Sequence, residues 1–210
     1  MGEIALLGDS IFDNVDYVGS GGKAVIEHLR GTVPAGWVAT LLAVDGNVTT
    51  DIATQMTRLP SSATHLAMSV GGNDAIRASG ILQQTTTTVD AALTTFADEL
   101  DIFRNNYRKA LTALLAASKP AMVCTIYDAV PNLTRSKKTA LAFYNDIIIR
   151  EAAHQGLPVI DLRSICNDLS DYSSISSIEP SDSGGAKIAD AIANMGLKHD
   201  FTVARTTIYV

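Results

Sequence analysis

Glu3-Ile4-Ala5-Leu6-Leu7-Gly8-Asp9-Ser10 joins a short apolar run, suited to a buried strand, directly to a turn-forming polar triplet. The pattern recurs along the chain. Apolar runs at 37–44, 66–70, 121–126 and 158–162 read as further strands. Segments 23–30, 50–58, 89–117, 137–154 and 185–195 read as helices between them. The longest of these places Leu93, Phe96, Leu100, Phe103, Tyr107 and Leu111 at three-to-four spacing, one apolar stripe of an amphipathic helix. Thr85 to Thr88 supply hydroxyls to cap its start. Strands separated by helical crossovers predict a parallel sheet covered on both faces: a three-layer α/β/α sandwich, flavodoxin-like, with about five parallel strands.

At 210 residues, 47% of them apolar and 18% charged, the chain can bury one core, so residues 1–196 are expected to form a single domain. Residues 197–210 form an extension in which Phe201, Val203, Ile208, Tyr209 and Val210 favour strand, either as a sheet edge or as an oligomer contact. A net charge of -6 and the absence of a Lys/Arg run exclude a phosphate-neutralising surface, so nucleic acid is not an expected partner. The opening residues lack a basic stretch and reach Gly8 too soon for a signal peptide or membrane span. The expected compartment is therefore the cytoplasm, with no membrane partner. Cys124 and Cys166 read as reduced structural thiols, a disulfide between them being the other reading. Neither has metal-ligand spacing, and no metal or cofactor is expected.

In a doubly wound sheet, ligands sit beyond the carboxyl ends of the strands, so chemistry is sought in the residues that follow each run. Those residues are Gly8-Asp9-Ser10, Asp45-Gly46-Asn47, Gly71-Gly72-Asn73-Asp74, Tyr127-Asp128 and the loop leading to Glu179. Gly8-Asp9-Ser10-Ile11, Gly46 and Gly72-Asn73-Asp74, each after a strand, resemble blocks I, II and III of the SGNH (GDSL) hydrolase family. The segment Ile178-Glu179-Pro180-Ser181, with Gly184 to Ala189 beyond it, resembles block V. The resemblance covers most of the chain. It implies an esterase or deacylase whose nucleophile is Ser10 and whose oxyanion donors are the Ser10 and Gly46 amides and the Asn73 carboxamide. One such donor is typically worth about 10²–10³ in rate.

Block V departs from the family pattern, in which an aspartate orients a histidine that serves as base. Here the corresponding residues are Ser176 and Glu179. The four histidines offer no evident substitute: His65 opens a strand at the wrong end, His28 and His154 lie in helices, and His199 lies in the tail. An ordinary glutamate is about two pKa units less basic than histidine, a deficit of up to roughly 3 kcal/mol that burial beside Ile178 and Pro180 can recover. Low or acid-shifted activity is the expectation.

Two readings of Glu179 stay open: a base that replaces histidine, or a solvated loop carboxylate in a degenerate site that binds a small acyl or sugar ligand without turnover. The sequence also offers Asp9, Tyr127, Asp128 and Ser176 as residues around the substrate. Asp9 and Asp74 are expected to brace loops, Tyr127 to line the pocket, Asp161 to brace the loop that follows it, and Trp37 to pack. Pocket walls are expected from 12–22, 75–84 and 129–134. The partner is a small ester or acylated molecule; oligomeric state is open, with a homodimer among the possibilities. A flavodoxin-like nucleotide binder is the weaker alternative, because Ile11-Phe12 follows the first turn where a phosphate loop would need glycines.

Overall fold

The computed structural model describes residues 1–210. In chain order it contains β1 (Glu3–Gly8), α1 (Val25–Thr32), β2 (Val38–Leu41), α2 (Ile52–Met56), β3 (His65–Ser69), α3 (Gly72–Ala78), α4 (Val89–Leu115), β4 (Ala121–Cys124), α5 (Arg135–His154), β5 (Val159–Ile160), α6 (Leu162–Ile165), α7 (Asp182–Lys198) and β6 (Ile208–Tyr209). The strands form one sheet in the order β2-β1-β3-β4-β5-β6, and every neighbouring pair is parallel. The sheet thus has six strands where the sequence predicts about five. The sixth comes from the tail, where the Tyr209 carbonyl accepts from the Asp161 amide at 2.8 Å and the Thr207 carbonyl from the Val159 amide at 2.9 Å.

Period-two alternation separates the core into two halves. Ile4 and Leu6 of β1, Ala67 of β3, and Met122 and Cys124 of β4 face one side, where they pack against Val25 and Leu29 of α1 and Ile188 and Ile192 of α7. Ala5 and Leu7, Leu66 and Met68, and Ala121 and Val123 face the other, against Ile52 of α2, Phe103 and Leu111 of α4, and Ile147 of α5. Strands buried on both faces read as continuous apolar runs, which is why the sequence exposes them.

Helix boundaries move more than strands do. Residues 50–58 begin as a 3₁₀ turn, Thr49–Asp51, before α2. The α4 helix starts as expected, with the Thr88 hydroxyl accepting from the Ala91 amide at 3.0 Å. Residues 72–78, to which the sequence reading assigns no helix, are helical as α3, because tertiary placement overrides the poor helix propensity of Gly72 and Asn73. No helix is long and apolar enough to cross a membrane. Cys124 and Cys166 are both buried and unpaired.

Candidate active site

The strand order reverses between β1 and β3, and this switch point is where a parallel sheet opens a crevice at its carboxyl edge. Gly8 closes β1 with φ at +133°, and a Cβ there would lie 1.7 Å from the Ser69 carbonyl oxygen of β3. Only glycine fits that approach. Gln55, buried on α2, replaces a strand partner at this point: its Oε1 accepts from the Gly8 amide at 2.8 Å and its Nε2 donates to the Gly8 carbonyl at 2.7 Å. The chain then turns tightly, as the Phe12 and Asp13 amides both donate to the Asp9 carbonyl. Ser10 is left at the crevice, 5% exposed and with its own amide unpaired.

Asn73, in the first turn of α3, donates from Nδ2 to the Asn47 carbonyl at 3.0 Å. A carboxamide nitrogen carries two hydrogens, so one donor remains. Asp74 holds the same loop from below, accepting from the Thr49 amide at 3.1 Å and the Thr49 hydroxyl at 2.6 Å. Asp9 braces its turn by accepting from the Ile11 amide at 3.1 Å.

Across the crevice, Glu179 sits on a loop pinned through its backbone. The Tyr127 hydroxyl donates to the Ile178 carbonyl at 2.7 Å, Asn14 Nδ2 to the Pro180 carbonyl at 3.1 Å, and the Ser173 amide to the Glu179 carbonyl at 2.8 Å. Asn145 of α5 repeats at β4 what Gln55 does at β1. Its Oδ1 accepts from the Ile126 amide at 2.7 Å, and its Nδ2 donates to the Ile126 carbonyl at 2.8 Å. Two side-chain amides therefore finish two strands beside one cavity.

Ser10, Asn73, Glu179, Asp9 and Tyr127 all line that cavity, with Ile76, Val130, Leu133 and Ile178 among its apolar walls. Segments 75–84 and 129–134 contribute as expected, but 12–22 does not, and Leu141 of α5 enters unannounced. Gly46 is not among the lining residues. It occupies an exposed turn with φ at +77°, its carbonyl accepting from Arg77 at 3.0 Å and its amide unpaired. Asp128 and Ser176 also fall outside the lining: Asp128 pairs with Lys138 at 3.5 Å, and the Ser176 carbonyl accepts from the Glu179 amide at 3.0 Å. Asp161 caps α6 and pairs with Arg163, and Trp37 lies against the His65 ring, 5.2 Å between centroids.

None of the histidines reaches the cavity. His28 bonds Asp182 at 2.8 Å, His65 the Thr64 hydroxyl at 2.9 Å and His199 the Tyr209 hydroxyl at 2.8 Å, while His154 lies 3.7 Å from Glu151. No cluster of His, Cys, Asp and Glu has the arrangement of a metal site.

The electrostatics follow from burial. Glu179, 5% exposed, is pushed up to about 7, chiefly by desolvation; the Ser10 hydroxyl, as a hydrogen-bond donor, pulls the other way, and the nearby charge of Asp45 adds to the rise. Its Oε2 is buried without a hydrogen-bond partner, so the Ser10 contact stops short of a full bond to that oxygen. Asp9 is pushed up to about 8, again mainly by desolvation, with the Ile11 amide opposing and the charges of Glu179 and Asp74 adding. Burial therefore favours the neutral form of both carboxyls relative to exposed ones, and each charge opposes the other. A carboxylate raised by burial is a better proton acceptor than an ordinary glutamate.

Sequence reading passed over Gln55, Asn145 and Asn14, since their roles depend on distant backbone groups and leave no local pattern. A family model described as GDSL-like lipase/acylhydrolase matches residues 6–187. No curated protein sequence matches the chain. Among solved structures, a lipase from a goat rumen metagenome superposes with a TM-score of 0.72 at 15% identity, covering 95% of this chain and 99% of that one. An extracellular lipase from Streptomyces rimosus gives 0.64 at 19% identity, with 92% and 99% covered. An acetyl xylan esterase, AlAXEase, gives 0.64 at 19% identity, with 90% and 96% covered. At these identities the likeness is one of fold.

Proposed function

The chain belongs to the GDSL-like lipase/acylhydrolase family, and from that premise we propose that it hydrolyses a small ester or acylated molecule through an acyl-enzyme on Ser10, with Glu179 as base. The Ser10 oxygen attacks the carbonyl carbon while its proton passes to Glu179. The resulting oxyanion is held by the Ser10 amide and the free Asn73 Nδ2 hydrogen; the Gly46 amide, the third donor that the family resemblance implies, sits on an exposed turn outside the cavity lining and is left out of the step. Collapse expels the alcohol, which takes the proton back from Glu179. Water then attacks the acyl carbon as Glu179 accepts its proton, and the acid leaves as Ser10 is reprotonated.

One observation carries this reading: the serine and a buried carboxylate with an unpartnered oxygen face the same cavity, and burial pushes that carboxylate's pKa up to about 7. A carboxylate needs no tautomer fixed, so Ser176 in the orienting position is tolerable where a histidine would suffer. The absence of every histidine from the cavity favours a second reading, a degenerate pocket that binds an acyl or sugar ligand without turnover. Labelling with a fluorophosphonate, located by mass spectrometry, separates the two. The hydrolase reading expects an adduct on Ser10 that is lost in Glu179→Gln; an unlabelled wild type between pH 4 and 8 would favour the binder.

A further inference from the structure

Five aromatic rings join the C-terminal tail to the body of the protein in an unbroken series. Trp37, just before β2, lies 5.2 Å from His65 of β3, His65 lies 5.5 Å from Phe201, Phe201 4.7 Å from His199, and His199 5.8 Å from Tyr209 of β6, centroid to centroid. Trp37 and His65 belong to the sheet, and the other three to the segment that begins at His199, where α7 ends. Each histidine has its Nδ1 engaged by a hydroxyl: His65 by Thr64 at 2.9 Å and His199 by Tyr209 at 2.8 Å.

A neutral imidazole packs as any other aromatic ring does, whereas an imidazolium among such rings gives up hydration that apolar neighbours do not replace. Burial holds both histidines below the usual imidazole range. His65 meets the Thr64 hydroxyl, the Trp37 indole and the Phe201 ring. At His199 the Arg205 charge adds to the lowering and the Asp200 charge opposes it. The Lys119 ammonium, which donates to the Ala63 carbonyl, stands in the same cleft as His199 and Phe201. Two cations against one carboxylate thus favour the neutral ring there.

The rest of the tail is lightly held, since Val203, Ile208 and Val210 are exposed and β6 is two residues long. It nevertheless covers β5, whose Val159 and Asp161 amides donate to the Thr207 and Tyr209 carbonyls. The Asp161 carboxylate in turn accepts from the Thr125 hydroxyl at 2.8 Å, immediately ahead of Ile126 and Tyr127 in the cavity wall.

We propose that residues 199–210 form an acid-released strap: neutral His65 and His199 keep it on the sheet, and their protonation frees it and uncovers β5. Docking is complete above the usual imidazole range and is lost as pH falls through it, because the free tail takes up protons more readily than the docked one. Nothing in this depends on the chemistry at Ser10.

Hydrogen exchange followed by NMR on the ¹⁵N-labelled full chain, corrected for intrinsic exchange rates, tests it. Between about pH 7.5 and about pH 5 the Val159 and Asp161 amides should lose about tenfold or more of their protection, while the Leu66 amide, bonded to the Pro120 carbonyl at mid-sheet, loses none. His65→Phe combined with His199→Phe keeps the rings without the titration and should retain that protection in acid; His65→Asn with His199→Asn serves should the first pair not fold. His199→Lys sets a permanent charge in the series and should lower the same protection at neutral pH. The proposal is overturned by Val159 and Asp161 protection that stays flat across the window, by a loss that Leu66 shares, by a loss that persists in the doubly substituted protein, or by a His199→Lys protein protected as well as wild type.

Discussion

The two walls of the cavity are built by opposite means. On the nucleophile wall, polar side chains are spent on one another and on backbone: Gln55 on Gly8, Asn73 on Asn47, Asp74 on Thr49, and Asp9 on Ile11. On the base wall, the loop is fastened through its backbone, its carbonyls accepting from Tyr127, Asn14 and Ser173, and the Glu179 carboxylate keeps a buried oxygen without a partner. Satisfied groups fix geometry, whereas an unsatisfied carboxylate in a dry wall stays protonated longer and becomes a stronger base. On the proposed mechanism, position comes from the first wall and reactivity from the second.

The sharpest way to break this contrast is to remove one reacting group from each wall. Ser10→Ala and Glu179→Gln should each lower ester turnover by about 10⁴ or more, and the double variant should fall little further, because the two act as one unit. Additive losses in single-turnover assays would show that they do not. Asn73→Ala should cost about 10²–10³ in kcat, with a smaller change in KM, if its free hydrogen meets the oxyanion. An equal effect on ground-state binding would place Asn73 in substrate holding instead.

The braces give a smaller effect of a different kind. Asn145→Ala leaves the part-buried amide and carbonyl of Ile126 unpaired and should cost roughly 1–2 kcal/mol in denaturant unfolding. Gln55→Ala should cost about as much at Gly8 and also lower kcat by displacing Ser10. A Gln55→Ala protein of full activity would mean that Ser10 holds its place without that bond.

A last effect, of a different kind, is on stability against pH. Glu179 and Asp9 have folded-state pKa values raised to about 7 and about 8. Their stabilising contribution is complete below the unfolded carboxyl range and is lost as pH rises through those values, because the unfolded chain gives up its protons first. Melting temperature should therefore fall between about pH 5 and pH 8, and Glu179→Gln should flatten the fall by a few degrees. A wild-type curve already flat across that window would mean that Glu179 is solvated.

The nucleophile wall was the legible one. Gly8, Ser10 and Asn73 stand immediately after strands, and strands buried on both faces write themselves as apolar runs, so fold and wall are read together. The base wall is legible only as a substitution in the block V pattern; whether Glu179 is dry or solvated depends on Tyr127 and Asn14, which reach its loop from distant segments. Asp128 and Ser176 show the same limit from the other side, since following a strand or matching a motif position does not decide where a side chain lies. The sixth strand was present in Ile208 and Tyr209 as propensity, but its parallel place beside β5 depends on the path of α7.

The most direct test of the account is the rate of Ser10 labelling by a fluorophosphonate as a function of pH, in wild type, in Glu179→Gln and in a variant with all four histidines replaced. The account predicts a rise with a midpoint near 7 that persists without the histidines and disappears without the Glu179 carboxylate. A midpoint that survives Glu179→Gln, or one that vanishes with the histidines, would contradict it.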